Sequence, residues 1–408
     1  AKELGALIVF LRPLGLRLVN NEVVEYNTDS NINYVINDDS YNVNVKIANI
    51  NEEEKYTIIY GKNDDLQEEE IENEKNIQFN FSEEGKNSCY IALKRNGEIL
   101  QDLEWNRDIY YIKSYKKQFL DEVEKKGVGL HLIGTSPSKF IPIFKALGAK
   151  YIRADFRMNY IYKEKQDKFD FSAPYYNELV KEILKNDTKL LVILGSPGDF
   201  LGTDKKVSND EELKLFERYV DAIGNHYTDI TDFEVWNEPN GVYTTDEDIE
   251  WYAKVVNNTS KLLKEKNKNI KIISGATLYG GKNIQPIEFI NKLSEFSGYQ
   301  NSDSFSYHIY DFKMKDELNK EYKTKMSDNK NAINDLGGFI KASNTEFGSS
   351  TYTNSVNENE QAIKCVQQFS LGDKYNIEYS IVYNFRNSGR EIDEKEHNFG
   401  LVDSDYNP

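Results

Sequence analysis

From residue 128 to residue 385, short apolar runs alternate with longer amphipathic stretches, and this constrains the fold more than any other feature of the chain. Short apolar runs read as buried strands, and stretches with apolar residues every three or four positions read as helices laid over them. Their alternation is the pattern of βα units around a parallel sheet. The strands expected are Val128–Ile133, Tyr151–Phe156, Lys189–Leu194, Asp232–Trp236, Ile270–Gly275, Ser304–Ile309, Phe339–Phe347 and Glu378–Phe385. Between them helices are expected over Lys139–Leu147, Ala173–Lys185, Asp210–Tyr227, Asp246–Lys266, Pro286–Phe296, Asp328–Leu336 and Glu358–Leu371. Eight such strands predict an α/β fold, a (β/α)8 TIM barrel with its chemistry where the strands end.

No eighth helix is legible between the last strand and Pro408. Residues 1–11 have helix-compatible composition and precede Pro13 and Gly15, which would end a helix. They are expected to fill the vacant place, with C-terminal truncation as the alternative.

Ahead of the barrel the period changes to two. Tyr41, Val43, Val45 and Ile47 alternate with Asn42, Asn44 and Lys46, and further strands are expected at Lys55–Tyr60, Ile77–Phe81 and Cys89–Leu93. Turns are expected at Gly61-Lys62-Asn63 and Gly85-Lys86-Asn87. Short strands at this spacing predict an additional N-terminal antiparallel β-sandwich domain. The division is therefore an N-terminal segment at 1–16, a sandwich at 17–113 and a barrel at 114–408. The acidic run Glu68–Glu72 reads as a solvated loop or sheet edge. Trp105 is the sandwich's only tryptophan, so a structural companion is expected there rather than a glycan-binding module.

A formal charge of −17 argues against nucleic acid or an anionic membrane surface as a partner. The apolar run Gly5–Leu11 is too short for membrane insertion. Cys89 and Cys365 fall in different expected domains and read as two unpaired thiols, and no metal-type spacing or cofactor motif is present. Neither oligomeric state nor a signal peptide can be read from the chain.

The chemistry concentrates at two strand ends. In Asp232-Phe233-Glu234-Val235-Trp236-Asn237-Glu238-Pro239-Asn240, Pro239 cannot extend a sheet ladder, so Glu238 arrives where the fourth strand stops. Glu346 ends the seventh strand just before Gly348, Ser349 and Ser350. A closed barrel sets these carboxyl groups across its mouth from one another. Cleaving a glycosidic bond takes one carboxylic acid to protonate the leaving oxygen and one carboxylate to trap or stabilise the oxocarbenium-like centre.

At this point the chain resembles a known group. Trp236-Asn237-Glu238-Pro239-Asn240, Glu346 and the closing His397-Asn398-Phe399-Gly400-Leu401-Val402-Asp403 are similar to clan A of the retaining glycoside hydrolases, most closely glycoside hydrolase family 39. The resemblance covers residues 127–408. It implies that Glu238 is the acid/base and Glu346 the nucleophile, with no metal or cofactor. It further implies that Asn237 bonds the sugar 2-hydroxyl, that Arg153 holds the nucleophile ionised, and that His308 and Tyr310 flank it. Trp236, Tyr383 and His131 complete the expected sugar-binding set, although for His131 a buried structural imidazole is a competing reading. Tyr383 and Arg157-Met158-Asn159 stand where the family often carries tryptophan, so stacking by Tyr160, Tyr243 or Phe385 is a further expectation. Asp155 and Asp199 are candidates for the mouth, while His226 and Trp251 read as structural.

These features lead to a retaining glycosidase acting on a polysaccharide or oligosaccharide, in an extracellular or cell-surface bacterial setting. The alternative from another class is a non-catalytic carbohydrate-binding surface protein on a glycosidase-like barrel.

Overall fold

The computed structural model describes residues 16–407 other than 20–21, 29–33, 37–38, 101–103, 113–124, 196–205, 281–283, 311–315 and 336–340 and the single positions 49, 52, 148, 173, 187 and 299. Residues 1–11, expected to replace the eighth helix, and Asp199 lie outside the described residues. The chain divides into two compact units, residues 1–118 with 407–408, and residues 119–406.

The first unit holds two sheets. One runs β1 (Leu16–Val19), β2 (Glu22–Thr28), β4 (Ser40–Ala48) and β7 (Glu74–Asn80) in that order. The other runs β3 (Tyr34–Ile36), β10 (Trp105–Ile112), β8 (Gly85–Arg95), β5 (Tyr56–Lys62) and β6 (Asp65–Glu70), with β9 (Glu98–Ile99) paired to β8. All pairings are antiparallel except β3 with β10. Alternate residues of β4, namely Tyr41, Val43, Val45 and Ile47, enter one core with Ile58, Ile91, Leu93 and Ile109 of the other sheet, which is how a period of two builds a sandwich. Trp105 lies in that core, stacked on Phe79 at 6.0 Å, and offers no exposed platform.

Two local expectations shift, and that of an edge for the acidic run does not. The turn expected at Gly61–Asn63 falls at Asn63-Asp64, both with positive φ, because Gly61 and Lys62 are still paired with β6. Gly85 opens β8 rather than a turn. The acidic run begins inside β6, an edge strand, where Lys94 and Lys75 meet Glu68 and Glu69.

The second unit is a closed parallel barrel of β11 (Lys126–Gly129), β12 (Tyr151–Asp155), β15 (Lys189–Leu194), β16 (Asp232–Val235), β17 (Lys271–Leu278), β18 (Ser304–His308), β19 (Lys341–Phe347) and β20 (Ser380–Val382). A small hairpin, β13 (Tyr162–Lys163) and β14 (Lys168–Phe169), follows the second barrel strand. Among the described residues, seven long helices cover the barrel, from Pro137–Leu147 to Glu358–Lys374. Asn209 caps Asp210–His226, and capping boxes at Thr245/Asp248 and Asn357/Glu360 start two others, satisfying N–H groups that would otherwise lack partners. One helix is longer than its sequence signals: it covers Asp316–Asp335 rather than starting at 328, because its Lys/Glu-rich first half carries little apolar periodicity.

Inside the barrel the side chains change character with height. The floor is an apolar cluster of Tyr151, Leu191, Ile273, Tyr379 and Ile381. Above it, β18 and β19 turn small hydroxyls inward, with Ser304 bonded to Ser343 and Ser306 and Thr345 one step higher. That small, polar middle layer leaves room for charged side chains beneath the mouth.

Candidate active site

Strand β16 delivers its acids by breaking its own alternation. Asp232 and Glu234 sit two apart, are buried, and bond to side chains of other barrel strands. Trp236 would follow them inward, but its φ of 71° swings the indole away, and Glu238, with φ 51°, is turned towards the mouth. Gly195 lets the third strand end pass: a Cβ there would stand 2.9 Å from the Trp236 Cα. Asn240 bonds the Leu278 N–H (3.0 Å) and the Leu278 and Ile284 carbonyls (2.9 and 2.6 Å), pinning this turn to the end of β17. On β19 a register shift between Asn344 and Phe347 lets the adjacent residues Thr345 and Glu346 both address the barrel interior.

Arg153, on β12 and 4% exposed, is the hub. Its Nη1 donates to Glu346 Oε2 at 2.5 Å, its Nη2 to Asn237 Oδ1 at 2.7 Å, and its Nε to Glu234 Oε2 at 2.7 Å. Tyr310 donates from above to Glu346 Oε1. His308 is fully buried and places Nδ1 3.0 Å from Glu238 Oε1, with Nε2 3.3 Å from Thr345 Oγ1. Burial alone would raise the pKa of Glu346, but its electrostatic interactions with His308 and Arg153 and the hydrogen bonds from Tyr310 and Arg153 outweigh it and hold the carboxyl below its ordinary value. Burial alone would lower that of Arg153, yet Glu234 and Glu346 drive it up. Tyr310 is pushed well up, by burial first and then by the Glu346 charge, and remains a phenol donor.

A carboxylate oxygen of Glu238 and one of Glu346 lie within 4.8 Å of each other. Both open onto a cleft of about 410 Å³ at the C-terminal ends of the strands. Of the residues expected to meet sugar, Arg153, Asn237, Tyr310, Tyr383 and His131 line this cleft, as does Asp155. The Oδ1 of Asn237 is committed to Arg153, which leaves its NH2 as the group that can meet a substrate hydroxyl. His131 lies past the end of β11, with Nε2 3.2 Å from the Tyr383 hydroxyl.

Two expected sugar contacts fall elsewhere. Trp236 is buried between Phe216 (5.8 Å) and Tyr243 (5.3 Å) and acts as core, for the backbone reason above. His308 does not reach the cleft and touches Glu238 instead, so it positions the acid rather than the sugar. Among the proposed stacking residues, Tyr243 and Phe385 are fully buried, whereas Tyr160 lines a small pocket beside His131. His226 stacks on Phe171 at 4.0 Å, a structural place. Trp251 is half-buried under Lys254 (4.0 Å) rather than in the core.

Several cleft residues carry no clear sequence signal. Tyr279, Lys395 and Glu396 are these, the last two from the segment after β20, while Arg157 and Phe399, from stretches already singled out, line the cleft with them. Glu234 is the most consequential omission, although an acid set inside the apolar run Phe233–Val235 was a visible irregularity. Glu238, His308 and Glu346 also place ligand-type atoms close together. Both Glu346 oxygens, however, already accept from Arg153 and Tyr310, and a guanidinium at this point opposes a second cation.

The cellulase (glycosyl hydrolase family 5) model matches residues 114–384. No curated protein matches the chain by sequence. A family 39 glycoside hydrolase from the gut symbiont Bacteroides cellulosilyticus WH2 shares the fold with a TM-score of 0.67 at 20% identity, over 94% of this chain and 80% of that one. The GH39 enzyme from Xanthomonas axonopodis pv. citri does so at 0.54 and 15%, over 70% and 64%. A glucosidase from Croceicoccus marinus gives 0.53 and 12%, over the same shares. Both of the first two solved structures carry the family 39 designation, and at these identities the likeness is one of fold.

Proposed function

This chain belongs to the cellulase (glycosyl hydrolase family 5) family of clan A, is a glycoside hydrolase and is most like family 39, and from that premise we propose that it is a retaining glycosidase of oligo- or polysaccharides. The observation that carries this reading is the approach of the Glu238 and Glu346 oxygens to within 4.8 Å. Retaining enzymes hold their carboxyl groups about 5–5.5 Å apart, whereas inverting ones need roughly 6.5–9.5 Å to admit a water between acid and base. A closest approach within 4.8 Å sits nearer the retaining separation than the inverting one, and that supports the reading.

In the first step Glu346 attacks the anomeric carbon as the bond to the leaving oxygen breaks, and Glu238 gives that oxygen its proton. The product is a glycosyl ester on Glu346 and an ionised Glu238. Glu238 then takes a proton from water, whose oxygen attacks the anomeric carbon and releases Glu346. Arg153 and Tyr310 keep Glu346 ionised for the attack, and the Asn237 NH2 is placed to bond the 2-hydroxyl as charge develops at the neighbouring carbon. An extracellular or cell-surface setting, where such polymers are met, belongs to the same proposal.

Proton NMR of the anomer first released from an aryl glycoside or polysaccharide tests the reading. Retained configuration is expected. Inverted product ends it.

A further inference from the structure

Glu234 touches no substrate, yet it is the most deeply embedded charge of the site, with a side chain 0% exposed. Its Oε2 accepts from Nε of Arg153 (2.7 Å) and lies 2.6 Å from Nη2 in the same ion pair. Its Oε1 takes the hydroxyls of Ser306 (2.8 Å) and Thr345 (2.6 Å). A carboxylate with three donors and a guanidinium edge against it in a dry site is locked in place. That lock fixes the guanidinium by one edge and leaves Nη1 aimed at Glu346 and Nη2 at Asn237. A buried carboxylate so close to a guanidinium also cancels much of the charge that Glu346 and Glu238 would otherwise feel.

We propose that Glu234 is a positioning residue that fixes how the Arg153 charge is shared across the site and thereby sets the pH window in which Glu346 is ionised while Glu238 keeps its proton. This rests on the retaining reading above. The charged and titratable groups facing it are Arg153 and, beyond it, Asp155 from β12; His308 and Tyr310 at and beyond the end of β18; Glu346 from β19; Glu238 beyond its own strand; and Tyr252 from the helix outside β16. With Glu234 neutral, the unbalanced guanidinium favours the ionised form of both catalytic carboxyl groups. Both limbs of the pH profile then move towards acid.

The test is the pH dependence of kcat/KM for Glu234→Gln and Glu234→Asp on an aryl glycoside the unaltered enzyme hydrolyses, with folding followed by circular dichroism. Glu234→Gln is expected to move both limbs to lower pH by on the order of one unit. Glu234→Asp keeps the charge but retracts it by one methylene, so the limbs are expected to stay while kcat falls and KM holds. A folded Glu234→Gln enzyme whose limbs coincide with those of the unaltered enzyme overturns the proposal. If Glu234→Gln fails to fold, the aspartate variant decides: a lowered kcat at constant KM supports it, and an unchanged kcat per folded molecule overturns it. Product stereochemistry is read on the unaltered enzyme, so failure of the retaining reading shows up separately from the limbs.

Discussion

Both ends of this barrel bury carboxylates, and one strand supplies acids to both. At the floor, Asp232 accepts from the Tyr379 hydroxyl and from Tyr151 (3.4 Å) on Oδ1 and from Thr231 (2.7 Å) on Oδ2. Beside it Glu378 gathers Lys125, Lys271 (3.2 Å) and Lys341 (3.4 Å) on one oxygen. Both phenols at the floor are pushed up, by burial first and then by Asp232, so they stay donors. At the mouth the side chains of Glu238 and Glu346 are 29% and 13% exposed, against 3% for Glu378. The difference lies in what surrounds the carboxylates. The floor acids are closed over by burial, Asp232 with donors on both oxygens and Glu378 with its lysines on one, whereas the mouth acids are gripped by other side chains and still face the cleft, so reactivity follows from where the burial stops.

Glu346→Gln probes this contrast most severely. Losing the nucleophile is expected to lower kcat by more than ~10⁴-fold with little effect on melting, measured with an active-site-independent assay of folding. A modest loss would mean that some other group takes the anomeric carbon. In the unaltered enzyme the acid limb of kcat/KM should lie below pH ~4.3, the ordinary glutamate value, because the Glu346 carboxyl is held low. Next in size, Glu238→Gln is expected to cost about 10²–10⁴-fold on sugar leaving groups. The loss should be smaller with a nitrophenolate, which departs without a proton. Equal losses on both would remove Glu238 from the acid role.

The floor should respond in the opposite sense. Glu378→Gln is expected to leave kcat/KM intact and to cost about 1–3 kcal/mol in urea unfolding, below the full penalty for a broken buried pair because the three lysines reach solvent. Burial alone would raise the Glu378 pKa, but Lys125, Lys271 and Lys341 bring it below its ordinary value. For a lowered folded-state pKa the stabilisation is present above the unfolded value and is lost as pH falls through the folded one. The stability gap between the two proteins should therefore close below pH ~4. A variant that lost activity but not stability would erase the distinction between the two ends.

How much of this was legible beforehand differs between the ends in the same way. Apolar runs of fixed length announce strands, so the barrel could be counted from sequence, and Pro239 marked where Glu238 stops. Glu346 was readable from its strand end. The floor was not, because Glu378, Lys125, Lys271 and Lys341 come from four separate places in the chain and look like ordinary surface charge until the barrel closes. Glu234 was hidden differently: only the register of β16 against its neighbours shows that it meets Arg153 rather than solvent. Trp236 shares the motif with Asn237 and Glu238 but not their direction, because its backbone has already left the strand and turns the indole into the core.

Tyr383 allows the finest cut, because β20 and its flanks carry a tyrosine to each end, Tyr379 to the floor and Tyr383 to the cleft. The Tyr383 hydroxyl meets His131 Nε2 at 3.2 Å, and its ring packs edge-on with Phe399 (5.3 Å) and Tyr310 (6.4 Å). Burial pushes its pKa to about 12, so it is a neutral phenol throughout the working range. Tyr383→Phe keeps the ring and deletes one hydrogen bond at an open wall, where water can replace the lost partner. The expected loss is about 0.5–1.5 kcal/mol, roughly two- to tenfold, and it should appear in KM with kcat nearly unchanged, because the hydroxyl neither donates to Glu346 nor touches Glu238. If instead kcat falls and KM holds, Tyr383 belongs with Tyr310 as part of the nucleophile's support, and the line between gripping and wall residues has to be redrawn one strand further round the barrel.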